Sequence, residues 1–251
     1  MGGAQKQVVV RDQLVTYYVW NEGGADKPTL LFLHGWRSEG RVWESVAKEL
    51  VGLNMTLVAI DFPGFGKSEI PKKTFDLAEY SEIVLGFIEK LNLKNVILIG
   101  HSFGGRVSIK LASSHPQFSK MVLVDSAGFK TQSFIKKSLA KMAKPFFMPS
   151  FMKPVREKIY TKIGAGDYLA LPEMQQTFLA VIKEDLTSVL PKIQAETLIV
   201  WGKNDRDTPV SFAEKLKKGI TKSHLETLEN AGHYSFLDQP EKFIKILKTF
   251  L

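Results

Sequence analysis

The sequence contains no cysteine. That absence removes disulfides, thiolate metal sites and a cysteine nucleophile together. It leaves the compartment open, because a secreted protein can also do without disulfides. No apolar run approaches the roughly 20 residues that span a bilayer. Met1 to Lys27 lacks the apolar core of a signal peptide, and Lys6 stands where a myristoylation signal wants Ser or Thr. These absences lead to the expectation of a soluble, cytoplasmic protein with no transmembrane segment. The five histidines, at 34, 101, 115, 224 and 233, show no His-x-x-x-His spacing, which speaks against a zinc site. No cofactor and no metal is implied.

Acidic residues are scarce in one segment. Lys130, Lys136, Lys137, Lys141, Lys144, Lys153, Arg156, Lys158 and Lys162 face Glu157 alone, nine charges against one. The whole chain carries +8, so the remainder is near neutral. No recognition motif accompanies the charge, which argues against nucleic acid. Its candidate partners are an acidic acyl carrier or an anionic surface. The plainer account is a solvated face that keeps the segment soluble.

What is present is a rhythm. Residues 5–10 and 13–20 alternate apolar and polar around Arg11-Asp12, which suggests a hairpin. "TLLFLHG", "MTLVAIDFPG", "NVILIG", "KMVLVDSAG" and "TLIVWG" are short apolar runs, the pattern of strands buried on both faces. Helical patterns over Val42–Leu50, Leu77–Leu91 and Phe103–Ser114 separate them. The alternation implies an α/β fold with a mostly parallel sheet flanked by helices. "HLETLEN" reads as an outer strand, and Pro240 opens a closing amphipathic helix. Between Gly128 and Glu196 the rhythm breaks into helical periodicity. We expect a core of residues 1–129 and 196–251, with residues 130–195 as a helical cap inserted between two core strands. Phe146, Phe147, Met148, Phe151 and Met152 suit an adaptable apolar wall there, or simple packing of the cap onto the core.

Gly100-His101-Ser102-Phe103-Gly104 fits G-x-S-x-G between a strand and a helix. In that context the motif lifts a serine onto a tight turn, with small neighbours where strand and helix approach. A serine hydroxyl needs a base. His233, in the glycine loop "NAGHYSF" after the last short strand, is the candidate. The histidine in turn needs an orienting carboxylate. Asp205, three residues past Gly202, is favoured; Asp207 and Asp125 remain alternatives.

The chain order Ser, Asp, His, together with "FLHGW", "DFPGFGKS", "GHSFGG", "WGKNDRDTP" and "AGHYSF", resembles the α/β-hydrolase superfamily over essentially the whole chain. The resemblance implies catalytic Ser102, Asp205 and His233, and an oxyanion hole from the backbone N–H groups of Trp36 and Phe103. It implies a bracing role for His34 and a turn-shaping role for Asp61. Dehalogenases and epoxide hydrolases of this superfamily carry an aspartate at the elbow, so Ser102 argues against both. The expected function is a serine hydrolase of small-molecule carboxylic esters. Thioesters, lactones, C–C bonds and the methyl ester of an acyl carrier protein are alternatives. "HGW" and "DFPGFGKS" are similar to the biotin-pathway esterases that act on that last group. An alternative of another class is a ligand receptor on the hydrolase fold.

Overall fold

A computed structural model describes residues 2–22, 27–129 and 171–251. The basic segment and its neighbouring phenylalanines and methionines lie outside the described residues.

Strands β1 (Ala4–Val10) and β2 (Gln13–Asn21) pair antiparallel. Arg11 and Asp12 join them with φ of 47° and 61°, the left-handed pair that matches the twist of a tight hairpin. The other strands are β3 (Pro28–Leu33), β4 (Thr56–Ile60), β5 (Lys94–His101), β6 (Lys120–Val124), β7 (Glu196–Gly202) and β8 (Ser223–Leu228). All eight make one sheet in the order β1-β2-β4-β3-β5-β6-β7-β8, parallel from β4 to β8.

The apolar runs are explained by helices on both faces. The described helices are α1 (Glu44–Leu50), α2 (Leu77–Lys90), α3 (Phe103–Ser114), α4 (Gln175–Lys183), α5 (Ser211–Gly219), α6 (Ser235–Asp238) and α7 (Pro240–Phe250). Leu31 and Leu33 of β3 join one core with α2, α3 and α5. Leu30 and Phe32, pointing the other way, join a second core with α1 and α7. A strand buried on both sides has no polar alternation to show. Two helix starts follow local rules. Asp76 caps α2 in a reciprocal box with Glu79, and Pro240 occupies the first turn of α7. The first turn of the Val42–Leu50 pattern differs from expectation. Gly40–Trp43 winds as a 3₁₀ turn, with Gly40 N–H drawn to Asp61 Oδ1 at 2.6 Å.

The topology fixes where a site can form. From β3 the chain moves to β4 on one side, then crosses back to β5 on the other. At such a reversal the loops leaving neighbouring strands diverge and open a crevice beyond their carboxyl ends. The loop after β3 carries Trp36, and the loop after β5 carries Ser102. Leu33 and Gly100 are in register across that gap.

The crevice requires α3 to lie very close to β3 and β5. A Cβ on Gly104 would strike the carbonyl oxygen of Leu33 and lie 2.8 Å from that of His34. Gly52, by contrast, has nothing within 4 Å of a built Cβ. Gly104→Ala should therefore cost about 1–3 kcal/mol, since a central strand cannot yield. Gly52→Ala should stay within about 0.5 kcal/mol of the parent. Urea midpoints measure both, and equal midpoints would refute the close-contact account.

Candidate active site

Ser102 sits between β5 and α3 with φ of 50° and ψ of −108°, a conformation non-glycine residues rarely hold. It is anchored by its backbone: Ser102 N–H donates to Val124 O at 3.0 Å, and Ala127 N–H donates to Ser102 O at 3.1 Å. Serine at a helix N-cap ordinarily spends its hydroxyl on the helix's own free N–H groups. Here it does not cap. Its Oγ lies 2.9 Å from His233 Nε2 instead.

His233 Nδ1 lies 2.8 Å from Asp205 Oδ2. Because the carboxylate accepts, Nδ1 carries the proton, which leaves Nε2 bare toward Ser102. Burial alone would push the His233 imidazole down. The hydrogen bond and charge of Asp205, with the charges of Asp207 and Asp125, outweigh it, so the net shift is upward. Burial likewise opposes the charge on Asp205, but His233 and Thr208 hold its carboxyl below the usual range.

The structure separates the three candidate carboxylates by direction. Asp205 Oδ1 accepts from the N–H groups of Asp207 and Thr208 at 2.8 and 2.9 Å, which aims Oδ2 at the histidine. Asp125 is fully buried and turned elsewhere, accepting from Gly202 N–H at 2.8 Å and Ser235 N–H at 3.0 Å. Burial pushes its carboxyl up to about 7. Asp207 is exposed. Sequence reasoning missed Thr208. Its Oγ lies 2.7 Å from Asp205 Oδ2 and 3.0 Å from the Asp125 carbonyl, tying together the loops after β6 and β7. The spacing Asp205-x-x-Thr208 was a readable signal, because an Asp side chain commonly takes the N–H groups two and three residues on.

The loop after β3 is held from beneath. His34 is fully buried, donates from Nδ1 to Gly35 O at 2.7 Å and accepts Phe62 N–H on Nε2 at 2.9 Å. Burial pushes its imidazole down to about 4, so it stays neutral. Asp61 accepts from Gly40 N–H, from Lys67 N–H at 2.9 Å and from Tyr18 O–H at 3.2 Å, which closes the turn of "DFPGFGKS". Above them the Trp36 ring packs against Phe65, Phe103 and Phe178 at 4.7, 5.3 and 5.1 Å. Phe103 is the first residue of α3, where an N–H has no intrahelical partner. Trp36 N–H makes no backbone hydrogen bond among the described residues.

Asp205, Asp207 and His233 bring ligand atoms within 4.8 Å of one another. Both His233 nitrogens and both Asp205 oxygens are already engaged, which suits a proton relay better than a metal.

The architecture and the Ser–His–Asp chain at the switch point define the class as an enzyme of α/β-hydrolase fold. The chain belongs to the alpha/beta hydrolase family, whose model matches residues 30–246. It is 28% identical to the AB hydrolase superfamily protein YisY of Bacillus subtilis, across 95% of this chain and 96% of the relative. It is 30% identical to the monoacylglycerol lipase abhd6-A of Xenopus laevis, across 90% of this chain and 76% of the relative. A solved membrane phospholipase A superposes with a TM-score of 0.80 at 26% identity, covering 99% of this chain and 86% of that one. The esterase EaEST of Exiguobacterium antarcticum gives 0.75 at 26% identity, covering 100% and 99%. The chain is thus a hydrolase. No helix among the described residues is long and apolar enough to cross a membrane.

Two predictions follow from the carboxylate geometry. Asp205→Asn should lower kcat by about 1,000-fold or more through loss of control over the histidine tautomer, while Asp207→Asn should cost only a few-fold. A larger loss at Asp207 would transfer the orienting role there. The upward shift of His233 places the acid limb of kcat/KM above the ordinary histidine value of 6.5, with activity lost as the pH falls through it. Removing the Asp207 charge should move that limb downward, and a limb that moved up in Asp207→Asn would contradict the electrostatics.

Proposed function

We propose that the protein is a serine hydrolase that cleaves small carboxylic esters through an acyl-enzyme. The observation that carries this is the unbroken chain from Asp205 through His233 to Ser102, at 2.8 and 2.9 Å, ending on a serine released from helix capping. Ser102 Oγ attacks the carbonyl carbon and gives its proton to His233 Nε2. The carbonyl oxygen gains the negative charge, and the backbone N–H groups of Trp36 and Phe103 stabilise it, each contributing about 3 kcal/mol. The N-terminus of α3 favours the same charge. Collapse expels the alcohol, which takes the proton from His233. Water then gives a proton to His233 and attacks the acyl carbon, and the second collapse releases the acid as Ser102 Oγ takes that proton back from His233.

The relatives support an ester. Two of the proteins it resembles are named a monoacylglycerol lipase and an esterase. An enol-lactonase and a meta-cleavage product hydrolase share the fold at 18% and 19% identity, which bears on fold alone. Residues 130–195 are proposed as a cap over the site. The support is the described limb, residues 171–195. There, Phe178 packs on Trp36, Met174 fills the space beside Gly64, and Thr177 Oγ accepts Phe75 N–H at 3.1 Å.

Ser102→Ala tests the nucleophile on a series of p-nitrophenyl esters of increasing acyl length. Turnover should vanish and thermal stability should hold, because the hydroxyl supports no helix cap. The parent should release a stoichiometric burst of p-nitrophenol where deacylation is slow. A variant that kept the parent's rate would sink the assignment.

A further inference from the structure

His101, beside the serine in the motif, has no part in the scheme above. It is the last residue of β5 and 1% exposed. Its Nε2 lies 2.6 Å from the backbone carbonyl oxygen of His233. A carbonyl only accepts, so Nε2 carries the proton and Nδ1 is bare. Nδ1 is buried with no hydrogen-bond partner among the described residues. A Cβ on Gly35 would stand 2.8 Å from that nitrogen, so the loop after β3 closes directly over it. The ring is held among Tyr234, His233, Phe236 and Trp43 at centroid distances of 4.7, 4.9, 5.3 and 6.5 Å.

The geometry points to His101 as a positioning residue that fixes the catalytic histidine through its own backbone carbonyl, as a permanently neutral imidazole in the Nε2–H form. This rests on the proposed role of His233. The His233 loop is then tied at three places: Gly232 N–H to Asp238 Oδ2 at 2.7 Å, His233 O to His101, and Ser235 N–H to Asp125 Oδ2 at 3.0 Å. The middle tie is on the residue that must aim Nε2 at Ser102. A misplacement of about 1 Å there can cost on the order of 100-fold in rate.

Neutrality matters as much as the bond. His233 becomes a cation when it takes the serine proton. A second imidazolium 4.9 Å away would oppose that step. Burial, then the charge of His233, push the His101 imidazole down to about 3. The bare Nδ1 gives an added proton no acceptor. Asp205, the other charged group acting on it, pulls the opposite way and is outweighed, while His34 is itself neutral.

The test compares His101→Leu with His101→Gln, whose amide nitrogen can reach the same carbonyl. On a short p-nitrophenyl ester, His101→Leu should lose roughly 10- to 100-fold in kcat with little change in KM. His101→Gln should recover to within a few-fold of the parent. The acid limb of its kcat/KM profile should not move, because a neutral ring contributed no charge. If His101 were charged, its removal would shift that limb upward. Nitrogen-15 NMR of the unsubstituted protein should show one imidazole fixed in the Nε2–H form from pH 5 to 9, set apart by its tautomer from the buried Nδ1–H rings of His34 and His233. That measurement stands even where a variant fails to fold. An Nδ1–H or titrating His101, or a folded His101→Leu with the parent's kcat, would overturn the inference. Ser102→Ala separates the two readings: if it is inactive while His101→Leu is unimpaired, only the positioning role fails; if Ser102→Ala is active, the serine mechanism fails first.

Discussion

The close approach of α3 to the carboxyl ends of β3 and β5 is the constraint on which the rest of the site depends. Gly100 and Gly104 leave no room for side chains: a Cβ on Gly100 would lie 2.5 Å from the carbonyl oxygen of Gly104 and from Ser108 Oγ. That contact forces the turn between strand and helix into one residue, Ser102. Strain of this kind costs on the order of 1–3 kcal/mol and persists only where the surroundings over-determine it. Here the surroundings are two backbone hydrogen bonds between Ser102 and the end of β6 and the loop after it, and the buried run Thr29–Leu33 of the neighbouring strand β3. The reward for the strain is a hydroxyl that no longer competes for helix N–H groups.

Around that point the protein divides its polar groups by the job each does. His34 and His101 are buried, neutral and committed to single tautomers, one for each of the two loops that flank Ser102. Asp61 and Asp125 are buried acceptors of backbone N–H groups, one below the loop after β3 and one below the loops after β7 and β8. Of the Asp205–His233 pair, Asp205 is held ionised below the usual carboxylate range, and His233, with its imidazole shifted upward, is the member placed to exchange a proton with Ser102. An unpartnered buried polar group costs about 1–3 kcal/mol, so this amount of buried polarity is tolerable only because nearly every atom is satisfied. The bare nitrogen of His101 is an exception, and it sits where an added proton would do harm.

Legibility from the sequence follows the range of the interactions. The buried runs of β3 to β7 are readable because burial on both faces leaves one composition, and the hairpin at Arg11-Asp12 because a turn is local. The elbow is readable for the same reason: Gly100, Ser102 and Gly104 crowd one another within five residues. The choice among Asp205, Asp207 and Asp125 is not local. All three stand near the carboxyl ends of adjacent strands, and only side-chain direction divides them. The 3₁₀ turn at Gly40–Trp43 depends on Asp61, far along the chain. The tie from His101 to His233 crosses 132 positions, and no spacing rule could announce it.

Arg106 shows how the limb of residues 171–195 is joined to this centre. It lies on α3, one turn past Ser102, and is 3% exposed. Its guanidinium donates to Val181 O at 3.0 Å and to Glu184 O, the carbonyls at the end of α4. Free carbonyls at a helix C-terminus carry partial negative charge and favour a cation there. Burial pushes Arg106 down to about 10, which still leaves it charged at neutral pH. Lys110, the next residue along that face of α3, pairs with Glu184 at 2.6 Å. A buried cation cannot readily leave such acceptors, because it would lose them without regaining water. The helix that follows Ser102, the proposed nucleophile, is therefore clamped on one side by β3 and β5 and on the other by α4. From α4 the ring of Phe178 reaches the ring of Trp36 in the loop after β3, the residue whose backbone N–H is a proposed oxyanion donor. One contiguous set of contacts thus joins the limb to α3 and to the loop after β3.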